Sequence, residues 1–407
     1  MGVSKYIFAK VIKIQYLCYL CNVNFYFMEN FNFDEIRPFS DDEVEMAINM
    51  IVDDPYFNYF MPFCFPNLSL EEIKQMLKKV RSIDDFQYNI MHDLIIKVVA
   101  DTCGTLSVEG IEKVSNSSHL FISNLRVIVL DAAILQLVLV DNNLPSSQIT
   151  IGNNLLGNKF LKNVAKLNKM IISIRGCSLR ESWKNSERLS AYIRNSILNT
   201  NQSVWIAQRN GRAKDGDDRT EIGLLKMLNI SGKNDVKQNF SELNIIPYSV
   251  SYQYEPCDFL RARELYLSRR IKYVKKADED YNSIVTGITQ FKGNVHYNFN
   301  VNNYDNISTE NFTDNQLIRY YSEVLDKGII MSYKLWNTNY IALDLINNSD
   351  KYRDVEYTDE DKKLFIDRMN EGLAKLEDVQ EGIDELRDIF LHIYANPVIN
   401  KINYSLI

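Results

Sequence analysis

Ser203-Val-Trp-Ile-Ala-Gln-Arg-Asn-Gly-Arg-Ala-Lys-Asp-Gly-Asp-Asp-Arg-Thr220 is the stretch on which the reading of this chain turns. Ser203 to Ala207 reads as a short buried strand. A glycine-containing turn follows, and Arg209, Arg212, Lys214 and Arg219 cluster in it. Open α/β folds place ligands at such turns, beyond the carboxyl ends of their strands. Arginine forks hold phosphate in two-point contacts, so the simplest reading is a phosphate clamp. A calcium loop starting at Asp215 would need a closing Glu where Lys226 stands. The GxxxxGK[ST] pattern of a nucleotide P-loop is absent.

Outward from this stretch, strands alternate with helices. Leu120 to Ser123, Gln148 to Ile151 and Met170 to Ile174 read as buried strands before it, and Ile245 to Tyr254 as one after it. Between them, Val127 to Val140 reads as a buried helix, and Phe160, Val164 and Leu167 recur at helical spacing. Leu179, Trp183, Leu189, Ile193 and Ile197 mark a long amphipathic helix. The expected fold class is therefore α/β, a largely parallel central sheet covered by helices. Residues 28–112 read as a helical N-terminal unit with no strand-like alternation, 113–300 as the α/β domain and 301–407 as a helical C-terminal region. One short strand is expected near Val295, and the acidic run from Asp359 to Leu391 reads as a solvated helix face.

Composition narrows the function. The chain has 407 residues, 46% hydrophobic and 24% charged, which suits a large folded core and excludes wholesale disorder. A net charge of −7 argues against a nucleic-acid binder. Against that background, no acidic residue stands between Asp141 and Glu181, while Lys159, Lys162, Lys166, Lys169, Arg175 and Arg180 do. That basic face suits an anionic ligand or a phosphate-rich membrane surface, or is a solvated run of lysines. No apolar run is long enough to span a bilayer. Cys18 and Cys21 form a lone CxxC without the further ligands a zinc site needs, so no metal is expected. Residues 1–27 carry Lys5, Lys10 and Lys13 ahead of an aromatic, apolar stretch. They read either as an amphipathic anchor or as a translated upstream segment before initiation at Met28.

Four blocks, in order, resemble the glycerol-phosphate and 1-acyl-glycerol-3-phosphate acyltransferase superfamily, Bacteroidetes type, over residues 28–397. Phe121-Ile-Ser-Asn-Leu-Arg-Val-Ile-Val-Leu-Asp131 resembles the first block, usually FISNHRDIVLD. Gly152-Asn-Asn-Leu-Leu156, with Leu167-Asn-Lys169 and Ile174-Arg-Gly176, resembles the second. Trp205 to Gly216 resembles the third, usually AQREGRAKDG, and Asn244 to Asp258 the fourth. The resemblance implies transfer of a fatty acyl group from a thioester to the hydroxyl of glycerol-3-phosphate or a lysophospholipid. In that family a histidine takes the proton of the attacking hydroxyl and an Asp orients it. The third-block glutamate and arginines hold the acceptor. The implied set is Asp131 for catalysis, with Arg126, Arg175, Gln208, Arg209, Gly211, Arg212 and Lys214 for substrate. No cofactor is implied beyond acyl-CoA or acyl-carrier-protein thioester as co-substrate. The implied location is cytoplasmic, peripheral at the inner membrane face.

The sequence departs from the pattern where the chemistry lies. The histidine position is Leu125, and the third-block glutamate is Asn210. Leucine cannot accept a proton. The chain's four histidines, His92, His119, His296 and His392, all lie elsewhere. The expectation is an acyltransferase-family protein with impaired catalysis, a possible pseudoenzyme. Two alternatives stand beside it: a working enzyme whose base comes from another segment, and a non-catalytic lipid- or membrane-binding scaffold on the same fold.

Overall fold

In the computed structural model, which describes residues 31–271, 273, 279–301 and 311–406, seven strands form one sheet. They are β1 (Leu106–Glu109), β2 (Leu120–Ser123), β3 (Gln148–Gly152), β4 (Met170–Ser173), β5 (Val204–Ala207), β6 (Ile245–Tyr252) and β7 (Val295–Phe299), in the spatial order β1-β7-β6-β2-β5-β3-β4. Strands β6, β2, β5, β3 and β4 are parallel. β7 runs antiparallel to β6, and β1 pairs with β7 in parallel. The N-terminal extension, with Cys18, Cys21 and Met28, lies outside the described residues.

Both faces of the sheet are covered, which is why its strands are apolar runs rather than half-polar alternations. Leu120 and Ile122 of β2 point to one face, where they meet Ile171, Val204 and Ile206. Phe121 points to the other, with Ile149, Trp205 and Tyr248. The main helices, in chain order, are α1 (Val44–Val52), α2 (Leu70–Leu77), α3 (His92–Thr102), α4 (Leu130–Asp141), α5 (Lys159–Leu167), α6 (Leu179–Leu198), α7 (Ile222–Ile230), α8 (Asp258–Ser268), α9 (Glu279–Thr289), α10 (Asp314–Ser332), α11 (Asn337–Ile346), α12 (Asp359–Ala374) and α13 (Ile383–Ser405). Helix α4 is buried on every side from Leu130 to Leu139 and packs on the Phe121 face. Its one amide, Gln136, accepts the Ser147 N–H at 2.7 Å and donates to the Ala132 carbonyl at 3.0 Å, so no polar group is stranded. Helices α6, α7 and α10 cover the opposite face.

Two helical groups flank this core. α1 and α2 pack through Val44, Ile48, Ile73 and Leu77 onto Phe160 and Leu167 of α5. α11, α12 and α13 pack onto Ala262 and Tyr266 of α8.

The structure departs from the sequence reading in three places. Leu106–Glu109, within the stretch read as helical, is edge strand β1, and its register is set by β7, far away in the chain. The acidic run from Asp359 is not one helix but two, α12 and α13, with Gly382 between them. A Cβ at Gly382 would lie 1.9 Å from the Tyr266 hydroxyl, so only glycine lets α8 approach there. The stripe read along α6 is half right. Leu189, Ile193 and Ile197 are buried, but Leu179 and Trp183 are 93% and 61% exposed.

Candidate functional site

The site is built on the loop that leaves β2. Asn124 is fully buried and binds the β6 backbone at two points. Its Nδ2 donates to the Val250 carbonyl and its Oδ1 accepts the Val250 N–H, both at 2.8 Å. The chain then turns, with Val129 at φ 74°, ψ −49°, a strained conformation for a β-branched residue. Asp131 holds that turn. Its Oδ2 accepts the N–H groups of Arg126 at 2.5 Å and Val127 at 2.9 Å, and its Oδ1 accepts the Tyr252 hydroxyl at 2.6 Å. Burial pushes the Asp131 carboxyl up to about 6, against the pull of those three donors. Leu125 packs beside the Phe121-face core, and Val127 is wholly enclosed in it.

Arg126 is buried, at 1% exposure, and is met by carboxylates. Its Nη2 lies 2.5 Å from Asp218 Oδ2 and its Nη1 3.3 Å from Glu255 Oε1. Its guanidinium sits 5.2 Å from the Tyr333 ring centre. Glu255 is also held by Arg261 Nη1 at 3.0 Å and by the Tyr333 hydroxyl, which donates at 3.0 Å. Arg261 reaches back to the Arg126 carbonyl. Two arginines and two acids thus form one enclosed, formally neutral network. Burial works against the Arg126 charge, but Asp218 and Glu255 outweigh it and keep the guanidinium protonated. Burial pushes Asp218 up to about 6, although Arg126 draws it down.

The loop after β5 divides. Gln208 is fully buried, and neither its Oε1 nor its Nε2 meets a hydrogen-bond partner among the described residues. Arg209 is half-buried, close enough to lower the Asp218 carboxyl. Asn210 and Gly211 form the exposed tip, with Gly211 at φ 80°. Arg212 contacts the Ser283 hydroxyl of α9, and Lys214 Nζ lies 2.5 Å from Glu264 Oε1 of α8. Arg175 stands apart, in the exposed loop after β4, where its N–H donates to Asn153 Oδ1 at 2.9 Å.

Helix α13 clasps the far part of this loop. Gly216, at φ 82°, approaches so closely that a Cβ would lie 2.3 Å from the Ile393 carbonyl oxygen. Asn396 Nδ2 donates to the Asp215 carbonyl at 2.7 Å, and Asn400 Nδ2 to Asp217 Oδ1 at 2.9 Å. Arg219 donates to the Tyr404 hydroxyl at 2.9 Å and to Asn400 Oδ1 at 3.0 Å. Between Arg126, Asp218, Gly216, Tyr333, Pro397 and Asn400 remains a cavity of about 10 Å³, room for about one water molecule.

The structure therefore brings Arg126 and Arg209 to Asp218, sets Arg212 and Lys214 against α9 and α8, and leaves Arg175 at the β4 end of the sheet. The sequence reading missed Asp218, Glu255, Arg261 and Tyr333. Asp218 stands in the opening stretch, and its signal was its sign, an acid beside Arg219; Glu255 stands in the fourth block with no arginine next to it, and carried no such local signal. None of the histidines bonds to Asp131 or the β5 loop. His92 meets Asp141 at 3.0 Å, His119 bonds Ser115 and Asn244, His296 bonds Ser107, and His392 bonds the Asp388 carbonyl. Among the described residues, no group of His, Cys, Asp and Glu could hold a metal ion.

Comparison with family models finds no match, and comparison with curated proteins finds none. Among solved structures, the chain is similar to the 1-acyl-sn-glycerophosphate (LPA) acyltransferase PlsC from Thermotoga maritima. The two share 10% identity over 71% of this chain and 94% of that one, with a TM-score of 0.35. A superposition that loose carries no argument about function.

Proposed function

We propose that this chain is an acyltransferase-family protein that has kept the acceptor-side framework and lost efficient acyl transfer. The observation that carries this reading is the pairing of Leu125 with a fully engaged Asp131. In the implied chemistry, a base takes the hydroxyl proton, the oxygen attacks the thioester carbonyl, and the thiol leaves. Leu125 supplies no base, and both Asp131 oxygens are committed to Arg126, Val127 and Tyr252. Loss of a general base costs about 10²–10⁴ in rate. The acceptor would be glycerol-3-phosphate or a lysophospholipid, with Arg126, Arg175, Gln208, Arg209, Gly211, Arg212 and Lys214 as its binding set. The donor would be an acyl-CoA or acyl-carrier-protein thioester. The protein would work from the cytoplasm, peripherally at the inner membrane face. Among the described residues, no helix is long and apolar enough to cross a membrane.

A second reading, a lipid- or membrane-binding scaffold without catalysis, draws support from the charge balance. Arg126 is already neutralised by Asp218 and Glu255, and the cavity beside it has room for no more than about one water.

The test is an acyl-transfer assay on the full chain and on the Leu125→His, Asn210→Glu double variant, with acyl thioester and either acceptor. The expected result is negligible turnover by the unaltered chain and recovered turnover in the variant. Robust turnover by the unaltered chain refutes impairment. Silence from both transfers support to the scaffold reading.

A further inference from the structure

Helix α6 is longer than the surface it packs on. From Leu189 onward its apolar side chains enter the core, with Ile193 at 0% exposure. Its first turn and a half does not. Ser178 to Lys184 are exposed on every side of the helix, and Arg175 and Gly176 before them are exposed as well. This overhang is not a fraying end. Ser178 and Glu181 close a capping box, with the Ser178 N–H donating to Glu181 Oε2 at 3.1 Å and the Glu181 N–H to Ser178 Oγ at 3.3 Å. The apolar stripe of the helix therefore continues past the protein body and presents Leu179 and Trp183, one turn apart on the same face, at 93% and 61% exposure. Two large apolar side chains on a braced helix tip need something to cover them.

We propose that the α6 overhang is a membrane-docking element that inserts Leu179 and Trp183 into the interface of an anionic lipid bilayer. Charge chooses the occupant. Arg175, Arg180 and Lys184 flank the two apolar residues in sequence, three cations against the single acid Glu181 over residues 175–184, while the whole chain carries −7. A protein of that charge is repelled by an anionic surface unless it meets it with a basic face. Leu and Trp flanked by Lys and Arg is the composition of interfacial helices, the indole settling at the headgroup level. The overhang follows β4 on the carboxyl side of the sheet, the side from which the β5 loop also leaves. Docking here would turn that side toward lipid. The proposal rests on the membrane-contact part of the reading above and not on its acyl chemistry.

The test is flotation of the full chain with phosphatidylglycerol-containing vesicles and with vesicles of phosphatidylcholine alone. A Leu179→Ser, Trp183→Ser variant runs beside it, its fold checked by circular dichroism. The expected result is binding to the anionic vesicles, weakened by salt, and about tenfold or more weaker in the variant. Brominated lipid should quench fluorescence in a Trp336→Phe background and lose that quenching when Trp183→Phe is added, because Trp205 is buried in the core whereas Trp336 is only half-buried. Equal binding by chain and variant, or no quenching that depends on Trp183, overturns the proposal and leaves membrane contact to another surface. No binding to either vesicle overturns both. A concentration-dependent dimer abolished by the variant, without vesicle binding, overturns the proposal in favour of a second copy of the chain.

Discussion

Replacing Arg126 with Met tests the buried charge network directly. The substitution keeps a long apolar stem and removes the guanidinium. Glu255 keeps two partners, Arg261 at 3.0 Å and the Tyr333 hydroxyl at 3.0 Å. Asp218 loses the cation 2.5 Å away and has no hydrogen-bond partner among the described residues to replace it. Stripping one member from a buried pair costs about 3–5 kcal/mol. The pH dependence identifies where that cost falls. In the unaltered chain Asp218 titrates at about 6 in the fold and near 3.8 unfolded, so above about 6 both states are ionised and its contribution is flat. Without Arg126, the folded carboxyl stays protonated to higher pH. The folded form then binds a proton the unfolded form lacks, and stability falls with pH by up to about 1.4 kcal/mol per unit. The deficit of Arg126→Met should thus widen from pH 6 to pH 8 and hold steady between pH 4 and 6. Adding Asp218→Asn should recover most of the loss and flatten the profile. Urea unfolding followed by far-ultraviolet circular dichroism at four or so pH values measures all of this. A loss below about 1 kcal/mol, or a deficit that Asp218→Asn does not relieve, refutes the claim that the network is a set of mutually dependent charges.

Two further outcomes follow from the same geometry. Asp131 and Asp218 both titrate at about 6 in the fold against 3.8 unfolded, so their summed contribution to stability rises as pH falls from about 6 to about 4. Glu43 opposes it: Arg37 holds it down at about 2, so its contribution is present above about 4.5 and lost as pH drops toward 2. Urea midpoints should therefore hold or rise on mild acidification before they fall. Gly216→Ala places a Cβ at a left-handed position and against the Ile393 carbonyl, so it should destabilise by about 2 kcal/mol or more and speed proteolytic cleavage within α13.

How far the sequence reveals this arrangement depends on the range over which each signal acts. β5 and α4 declare themselves locally, since runs such as Val204–Ala207 and Leu130–Leu139 are apolar enough to be buried whatever surrounds them. β1 does not, because four residues on a sheet edge owe their conformation to β7, about 190 residues away. The break between α12 and α13 runs through the short segment Glu377–Gly382, where Val379 is non-helical at φ −133° and Gly382 abuts Tyr266, a tertiary contact that no local pattern announces. Around the site, the arginines were legible as a cluster. The pairing of Arg126 with Asp218 and Glu255, and of Lys214 with Glu264, was not, because charge sign is visible in a sequence but pairing between distant segments is not. The periodicity of α6 was correct as a pattern and silent about where the protein body stops.

The clasp of α13 on the β5 loop has a consequence in time. Asp215 and Asp217 are 181 and 183 residues from the asparagines that bind them, and Arg219 is 185 from Tyr404. At synthesis rates of about 5–20 residues per second, this loop waits about 10–40 s for those partners to be made. During that interval Arg219 and the Gly216 turn have no α13 to rest on. The site is thus finished after most of the sheet that supports it, and its completion reports that nearly the whole chain is in place.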